Sequence, residues 1–408
     1  MEHRIERVFN GRARHLALAA LILAGESGVG DHPPLLLRIA GQTLLERQVR
    51  QAHYFGAVHI VLLVSALPAA ILAIIDRMKA EGISVDLARD AHDAADRFHP
   101  EEDILIFDGA IIIENQNIET VIQNKGSALI TIKSDSAGPR FERIDADDCW
   151  AGIAKIDGGV LRETSAMLGD WVLGPTLLRR AVQQGAMRIA LSQPTLGMLI
   201  RPQSQTEAND VGRSLVQAVH PTISGWFDRI CLVPLSRALA PIAVKRNIKH
   251  SVLEISSISL YLLSIISIFV APQPWPYVLY LLALIPAALA EVVRRITISG
   301  SIRFAKILQM RSAMLAAIVL VSAIMTPAGK YFMMGVVLAL WFSVQWMQGK
   351  YLLAPATKVT SLWHSDAGAL ALILLVFGSA GHSFVGLGLC IVLMVAEPLW
   401  HMNKRLLP

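Results

Sequence analysis

Apolar residues in the first 110 positions fall into short runs separated by glycine-containing or polar turns. Residues 16–23 form a continuous apolar run, which is typical of a strand buried on both faces of a parallel sheet. Helical spacing of apolar residues follows over 43–55 and 68–81, and further apolar runs cover 58–64 and 104–107. The order strand, helix, strand, helix, strand predicts an α/β domain with a mostly parallel sheet.

The pattern changes near residue 250, where long apolar stretches replace this alternation. Crossing the roughly 30 Å core of a bilayer takes about 20 apolar residues in a helix. Six stretches are candidates for such helices: 252–271, 276–293, 304–325, 331–347, 367–380 and 383–400. We therefore predict an α/β domain over 1–210, a linker over 211–250 and an all-α six-helix transmembrane domain over 251–408. The linker mixes arginines with apolar residues at helical spacing, which favours an amphipathic membrane-surface segment over a soluble helical linker.

Charge strengthens the membrane prediction and gives it an orientation. Charged residues make up 17% of the chain, below the roughly 25% of average soluble domains. Residues 251–408 contain four acidic and ten basic residues, and the basic ones fall in alternate loops. By the positive-inside rule, we expect an inner (plasma) membrane protein whose α/β domain and both termini are cytoplasmic. Because the basic excess lies in the membrane region, no nucleic-acid partner is expected.

Candidate chemistry lies after two of the predicted strands and on one predicted membrane helix. Backbone N–H groups of a glycine-containing loop after a strand can bind phosphate, and Asp108 follows another strand of the same sheet. An acid within a membrane helix suggests function, but Glu291 and Arg294, one turn apart, can also form a purely structural ion pair at the membrane interface. The loop candidates for ligand binding are Gly25, Ser27, Gly28 and Gly30. The three cysteines are far apart, so neither a disulfide framework nor a metal site is predicted.

The N-terminal segment resembles the start of a sugar-phosphate nucleotidyltransferase. The matching pieces are the strand and glycine loop at 23–30, and Ile39-Ala40-Gly41 followed by Leu44-Leu45-Glu46. Residues 215–241 resemble the entry to CDP-alcohol phosphatidyltransferases. The closest similarity is to those fused behind a nucleotidyltransferase, as in the inositol-phosphate cytidylyltransferase/di-myo-inositol-phosphate-phosphate synthases. The resemblance implies two transferase domains that use Mg²⁺, and a homodimer formed through the membrane domain.

The residues that bind metal and triphosphate in the nucleotidyltransferase family are changed in this chain. Pro34 stands where the family has a lysine, and Glu26 and Asp31 flank the glycine loop. Asp108 lies near the position of one metal-binding acid, but residues 199–203, where the second acid is expected, contain Arg201 and no acid. A Mg²⁺ ion held by one carboxylate would bind phosphate poorly. Mg²⁺ is therefore the one cofactor that the resemblance implies, with weak support from the residues.

The membrane domain lacks the carboxylates of its family as well. Phosphatidyltransferases of this kind hold metal with four aspartates on two helices. Here those positions align with Pro286, Leu289, Gln309 and Ala313, while Arg294 keeps its place. Hard divalent metals need oxygen ligands, which these side chains do not provide in sufficient number. No metal-binding residue is therefore predicted. The basic residues after the second helix fit either a phosphate pocket for a lipid head group or the positive-inside rule: Arg295, Arg303, Lys306 and Arg311.

These observations predict a diverged or catalytically inactive homologue in phospholipid or polar-lipid head-group biosynthesis. It would bind membrane lipid and, as a further candidate ligand, a nucleotide or CDP-alcohol. One alternative is an active membrane phosphotransferase or cytidylyltransferase in which Asp108, Glu291 and Arg294 act catalytically. Another is a lipid-binding or transport protein, which needs polar groups among the apolar helices. Whether the chain is an enzyme stays open among these alternatives.

Overall fold

The apolar runs of the N-terminal region form one sheet in the computed structural model. The chain divides into two units, Met1–Ala218 with Thr297–Ser299, and Val219–Ile296 with Gly300–Pro408. The residues that the structure describes are 18–24, 34–65, 67–137, 139–169, 171–191, 199–218, 226–246, 248–271, 274–298, 311–325, 335–336 and 367–393.

Seven strands of the first unit form a sheet in the order β10-β8-β9-β6-β1-β4-β5. Strand β9 is antiparallel to both neighbours, and the other pairs are parallel, which confirms the predicted mostly parallel sheet. The short strands pair separately, β2 with β3 and β7 with β11. The strands are β1 (Ala19–Leu23), β2 (Arg38–Ile39), β3 (Gln42–Thr43), β4 (Ile60–Leu63), β5 (Val85–Ala88), β6 (Asp103–Asp108), β7 (Ile112–Ile113), β8 (Ala128–Lys133), β9 (Asp148–Asp157), β10 (Met187–Ala190) and β11 (Leu199–Ile200).

Helices cover both faces of this sheet, so every residue of β1 is buried. Side chains of α1, α2, α4 and α8 belong to the apolar core on one face, and those of α3, α6 and α7 to the core on the other. Burial on both faces explains why β1 is a continuous apolar run. The helices are α1 (Leu44–Tyr54), α2 (Ala69–Ala80), α3 (Ala91–Asp96), α4 (Asn115–Gln123), α5 (Ser134–Ala137), α6 (Gly158–Ala166), α7 (Leu173–Gln183) and α8 (Gln205–Ala218).

Helix α1 begins and ends as its sequence predicts. The Thr43 hydroxyl accepts a hydrogen bond from the Glu46 backbone N–H at 3.2 Å, and the Glu46 carboxylate accepts one from the Thr43 N–H at 2.7 Å. This capping box satisfies two N–H groups that the first turn cannot pair internally. Gly56, with a φ of 93°, follows the last turn in the left-handed conformation that glycine adopts without strain.

The polar residues of α1 point into the domain and hold the chain that follows β6. The Gln48 amide donates to the carbonyl oxygens of Gly109 and Ile111 at 2.9 and 3.1 Å. The Gln51 amide donates to the Ile113 carbonyl at 3.1 Å. The contacts of Gln48 and Gln51 fix the loop directly after Asp108.

Arg47 lies on the same helix and is buried. Burial lowers the pKa of its guanidinium to about 10, so Arg47 still carries its charge at neutral pH.

The second unit is helical throughout its described residues. A π-helical turn at Asp228–Leu232 leads into α9. Two helices, α10 and α11, are long and apolar enough to cross a membrane by length and composition. The helices are α9 (Val233–Lys245), α10 (His250–Val270), α11 (Trp275–Thr297), α12 (Arg311–Met325), α13 (Ala367–Ser379) and α14 (Ser383–Leu393).

The six predicted spans correspond only in part to these helices. Helices α10 and α11 match the first two, and α12, α13 and α14 overlap the third, fifth and sixth with fewer than 18 residues each. Most of the fourth, 331–347, lies outside the described residues. A six-helix transmembrane domain therefore stays a prediction.

Helix α10 has the reverse of the usual amphipathic pattern. Its five buried residues are all polar: Glu254, Ser257, Tyr261, Ser264 and Ser267. Its large exposed side chains are all apolar: Val252, Ile255, Leu262, Leu263, Ile266, Phe269 and Val270. A helix on the surface of a water-soluble domain shows the opposite arrangement, with apolar residues inside and polar residues outside.

Two of the buried serines of α10 hydrogen-bond to the backbone of α11, and the third, Ser267, donates to the Ser264 carbonyl of its own helix. The Ser257 hydroxyl donates to the Ala283 carbonyl at 2.9 Å, and the Ser264 hydroxyl donates to the Pro276 carbonyl at 2.6 Å. The later serine on α10 bonds the earlier residue on α11, so the two helices run antiparallel and form a hairpin. Small polar side chains that bond across helices are typical of helix pairs in membranes.

Candidate functional site

The sheet brings the carboxyl ends of β1 and β6 together. Asp108, the last residue of β6, is the register partner of Leu23, the last residue of β1. The Gly109 backbone N–H donates to the Leu23 carbonyl at 2.9 Å. Ligands of parallel α/β sheets bind beyond this edge. The structure therefore places Asp108 at the edge predicted from the sequence.

An arginine that the sequence did not identify as a site residue pairs with this aspartate. Nη2 of Arg201 lies 2.5 Å from Oδ2 of Asp108, and both side chains are largely buried. Arg201 directly follows β11, and β11 pairs antiparallel with β7, just beyond the Asp108 loop. The pairing of these two short strands carries the guanidinium to the carboxylate.

Neighbouring side chains hold Arg201 in place. Its Cζ lies 5.4 Å from the centre of the Phe141 ring, a favourable distance for a cation above an aromatic face. Nη1 of Arg140 donates to the Arg201 carbonyl at 3.0 Å and pairs with Glu207 at 2.9 Å. The hydrogen bond from Arg140 holds the pKa of the Glu207 carboxyl below its usual value.

Two glycines leave room for the ion pair. A Cβ at Gly174, in the first turn of α7, would lie 2.8 Å from Oδ1 of Asp108. A Cβ at Gly152, whose φ is +82°, would lie 2.9 Å from Nη2 of Arg201 and 2.5 Å from Cδ1 of Ile111. Side chains at either position would displace the pair, so the site is closely fitted around it.

The residues at this edge do not fit the Mg²⁺ ion that the resemblance implies. Asp108 is the acid expected there, and a guanidinium engages its carboxylate. Arg201 lies in the segment where the resemblance implies a second acid, and it repels a cation instead of coordinating it. Among the described residues, no three His, Cys, Asp or Glu side chains are grouped as a metal site requires. A Mg²⁺ ion prefers near-octahedral oxygen coordination, which this donor set does not offer.

The predicted phosphate-binding loop lies outside the described residues, so its distance from this ion pair is not defined. Gly25, Ser27, Gly28 and Gly30 lie outside the residues that the structure describes. Their assignment to ligand binding stays a prediction from the sequence. Nε of Arg201 is buried and has no hydrogen-bond partner within the described part of the chain.

The two candidates that the sequence predicts in the second unit, Glu291 and Arg294, form an ion pair near the end of α11. Nη2 of Arg294 donates to Oε2 of Glu291 at 2.5 Å, and Nε of Arg295 donates to Oε1 at 2.6 Å. The Glu291 carboxylate is therefore occupied on both oxygens, which leaves it poorly suited to act as a base. Glu254, in the first turns of α10, lies within electrostatic range of Glu291 and Arg294.

A second buried ion pair links the start of this unit to α12. Nη1 and Nη2 of Arg311 donate to Oδ1 and Oδ2 of Asp228, each at 2.9 Å. The sequence prediction considered Arg311 for a phosphate pocket together with Arg303 and Lys306, which lie outside the described residues. In the structure the Arg311 guanidinium bonds the carboxylate of Asp228 instead of an external phosphate.

Comparisons with known proteins give a distant likeness. No protein-family model matches this chain, and no curated protein matches it. One similar solved structure is that of the inositol-1-phosphate CTP transferase from T. maritima. The sequences are 14% identical, the match covers 42% of this chain and 84% of that chain, and the TM-score is 0.32. The function of this chain therefore has to be inferred from its own side chains.

Proposed function

We propose that this protein is a membrane-embedded, nucleotidyltransferase-like binding protein of polar-lipid head-group biosynthesis. Its α/β unit would bind a nucleotide or a phosphorylated alcohol at the carboxyl edge of the sheet, without metal-dependent phosphotransfer. The observation that carries this proposal is the Asp108–Arg201 ion pair, which lies where the resemblance implies two metal-binding acids. The carboxyl edge of the sheet is retained, but its acid, Asp108, is paired with Arg201 of the same chain. Such a site suits ligand binding without a metal ion.

The energetics of the pair favour arginine over metal at this position. A hydrogen bond between a guanidinium and a carboxylate is among the stronger ones in proteins, and this one is largely shielded from water. To bind Asp108, a Mg²⁺ ion would have to displace Arg201 and approach its positive charge. A guanidinium carries five N–H groups, and those of Arg201 that Asp108 does not engage would be the donors for an anionic ligand.

The reversed pattern of α10 supports the membrane placement. In water its seven large exposed apolar side chains would cost free energy, whereas in lipid they face a medium as apolar as themselves. Ser257 and Ser264 donate to α11 carbonyl oxygens inside the hairpin. The excess of basic residues at 245–249 and 294–295 supports a cytoplasmic position for this end of the hairpin.

Ligand binding can be tested by thermal stability of the purified full chain in detergent. CTP, CDP-alcohols, inositol phosphate and CDP-diacylglycerol would each be added with Mg²⁺ and with EDTA. A ligand that binds the folded state raises the thermal midpoint by mass action. We expect stabilisation that is equal in Mg²⁺ and EDTA. A shift that requires Mg²⁺ would overturn the metal-free site, and no shift with any of these ligands would overturn the binding role.

Substitution of Arg201 by an acid tests the ion pair directly. In Arg201→Asp two carboxylates would face each other, so we expect a lower thermal midpoint in EDTA and recovery of several degrees on adding Mg²⁺ or Mn²⁺. The wild-type chain should not respond to either metal. Arg213→Asp is the matched control, because Arg213 also pairs with an aspartate, Asp210, but on an exposed helix face. Equal metal responses in both variants would contradict a specific site at Asp108.

A lipid-binding role is the second candidate for the membrane unit. The sequence prediction asked for polar groups among the apolar helices, and the buried row on α10 provides them. The observation that favours this role is Glu254, which is 7% exposed and has an unpartnered carboxylate oxygen among the described residues. Co-purified lipid, identified by mass spectrometry of the detergent-solubilised chain, would support it.

A further inference from the structure

Glu254 lies at the same end of the α10–α11 hairpin as the Glu291 ion pair. The hydrogen bonds of Ser257 and Ser264 fix the antiparallel register, which brings the first turns of α10 beside the last turns of α11. Both Glu291 and Arg294 lie within electrostatic range of Glu254. This end of the hairpin therefore contains two acids and two arginines: Glu291, which is paired with Arg294 and Arg295, and Glu254.

The carboxylate of Glu254 has a binding capacity that the chain does not use. Its Oε2 is buried and accepts no hydrogen bond from the described residues. Arg294 directs Nη2 to Glu291 instead. Burying a carboxylate oxygen without a donor costs free energy. Such a group persists at an intramembrane or interfacial position chiefly where a ligand or function requires it.

The chemistry of the surrounding charges identifies the class of ligand. Glu254 calls for a cationic group that carries N–H donors, because a cation compensates a buried carboxylate better than a neutral hydroxyl does. Beside it, Arg294 and the half-exposed Arg295 add two positive charges, and each arginine bonds one oxygen of Glu291. A ligand that fits both is a zwitterion with an ammonium group close to a phosphate.

We propose that Glu254, Arg294 and Arg295 form a binding site for a phosphoethanolamine head group. The ammonium would donate to Glu254 and the phosphate would lie against the arginines. Basic residues and apolar helix surface meet at this end of the hairpin, which suits a phospholipid whose chains lie along α10. This inference rests on the proposed membrane placement of the hairpin, but it is independent of ligand binding at Asp108.

Lipid selectivity of the full chain in nanodiscs tests the site. Nanodiscs would contain phosphatidylcholine alone, or mixtures with phosphatidylethanolamine or phosphatidylglycerol, and retained lipid would be quantified after detergent extraction. We expect about tenfold preference for phosphatidylethanolamine, because choline lacks N–H donors and glycerol lacks the cation. Free phosphoethanolamine, added to the chain in detergent, distinguishes a soluble ligand from a lipid. Equal retention of the three lipids, with no stabilisation by phosphoethanolamine, would overturn the proposal.

The variant Glu254→Gln keeps the shape of the side chain and removes its charge. We expect the preference for phosphatidylethanolamine to fall about tenfold in this variant. Ser256→Ala is the control on the same helix, because the Ser256 hydroxyl is exposed and donates to the Leu253 carbonyl of its own turn. Unchanged selectivity in Glu254→Gln would overturn the role of Glu254. Loss of CTP stabilisation with intact lipid selectivity would instead concern only the α/β unit.

Discussion

At the scale of single residues, this chain repeatedly pairs a buried or half-buried acid with arginine. Asp108 meets Arg201, Glu291 meets two arginines, and Asp228 meets Arg311 through two parallel hydrogen bonds. The planar guanidinium matches the two oxygens of a carboxylate, which lysine cannot do. The Asp228 pair has the most complete geometry, and it joins segments 83 residues apart in the chain. Loss of either partner should therefore destabilise the helical unit, because it leaves a buried charge without its counter-ion.

Removal of the Asp228 carboxylate tests this contribution. In Asp228→Ala the buried Arg311 guanidinium loses its counter-ion, and breaking a buried pair in this way costs about 3–5 kcal/mol. We expect a clear fall in the thermal midpoint of the full chain in detergent. Asp210→Ala, which breaks an exposed pair on α8, should change the midpoint little. Equal effects of the two substitutions would contradict the stabilising role of the Asp228 pair.

At the scale of secondary-structure elements, local signals explain what the sequence predicts well. The capping residues and the glycine after α1 place that helix within one residue of its observed ends. The apolar run of β1 and the end of β6 at Asp108 follow equally from local pattern. The sequence does not predict the Asp108–Arg201 contact, because that contact depends on two two-residue strands, β7 and β11, that no periodicity reveals. Glu254 shares its spacing with the buried serines, a signal that the sequence contained.

The first turn of α7 tests how closely the Asp108 site is fitted. In Gly174→Ala the new Cβ would meet Oδ1 of Asp108, so we expect a cost of about 1–3 kcal/mol in the free energy of unfolding. Arg179→Ala, on the exposed side of the same helix, serves as the control. In an Asp108→Ala background the cost of Gly174→Ala should shrink, because the two residues are coupled. Chemical denaturation of the four variants measures this, and an unchanged cost would place the strain elsewhere.

At the scale of the whole molecule, the two units differ in how their charged residues are arranged. The first unit carries many exposed ion pairs, whereas in the described part of the second unit a buried acid, Asp228 or Glu291, is paired with arginine. Hydrogen bonds from arginine lower the pKa values of Asp93, Asp145 and Glu207 in the first unit, the bond to the Arg89 backbone N–H contributing most at Asp93. The ionised carboxylates therefore stabilise the folded α/β unit.

The stability of the α/β unit should accordingly depend on acid pH. Because these pKa values are lowered by folding, the stabilisation is complete above the ordinary values of 3.8 for Asp and 4.5 for Glu. It is lost as the pH falls through the lowered values. We expect the thermal midpoint of the full chain, followed by circular dichroism, to drop between about pH 5 and pH 3. Glu207→Gln should flatten part of this dependence, and an unchanged profile would contradict the contribution of Glu207.

The reversed pattern of α10 has a consequence for how the sequence can change over evolution. If its outer face lies in lipid, as proposed, one apolar side chain can replace another there at little cost. The inner positions have no such freedom, because a larger side chain at Ser257 or Ser264 would force α11 away and leave its carbonyls with one contact fewer. In related sequences we expect the buried serines of this helix to be conserved and its outward-facing leucines and isoleucines to be replaced by other apolar residues. Selection would act on the polar residues of α10 as it acts on the apolar core of a soluble helix.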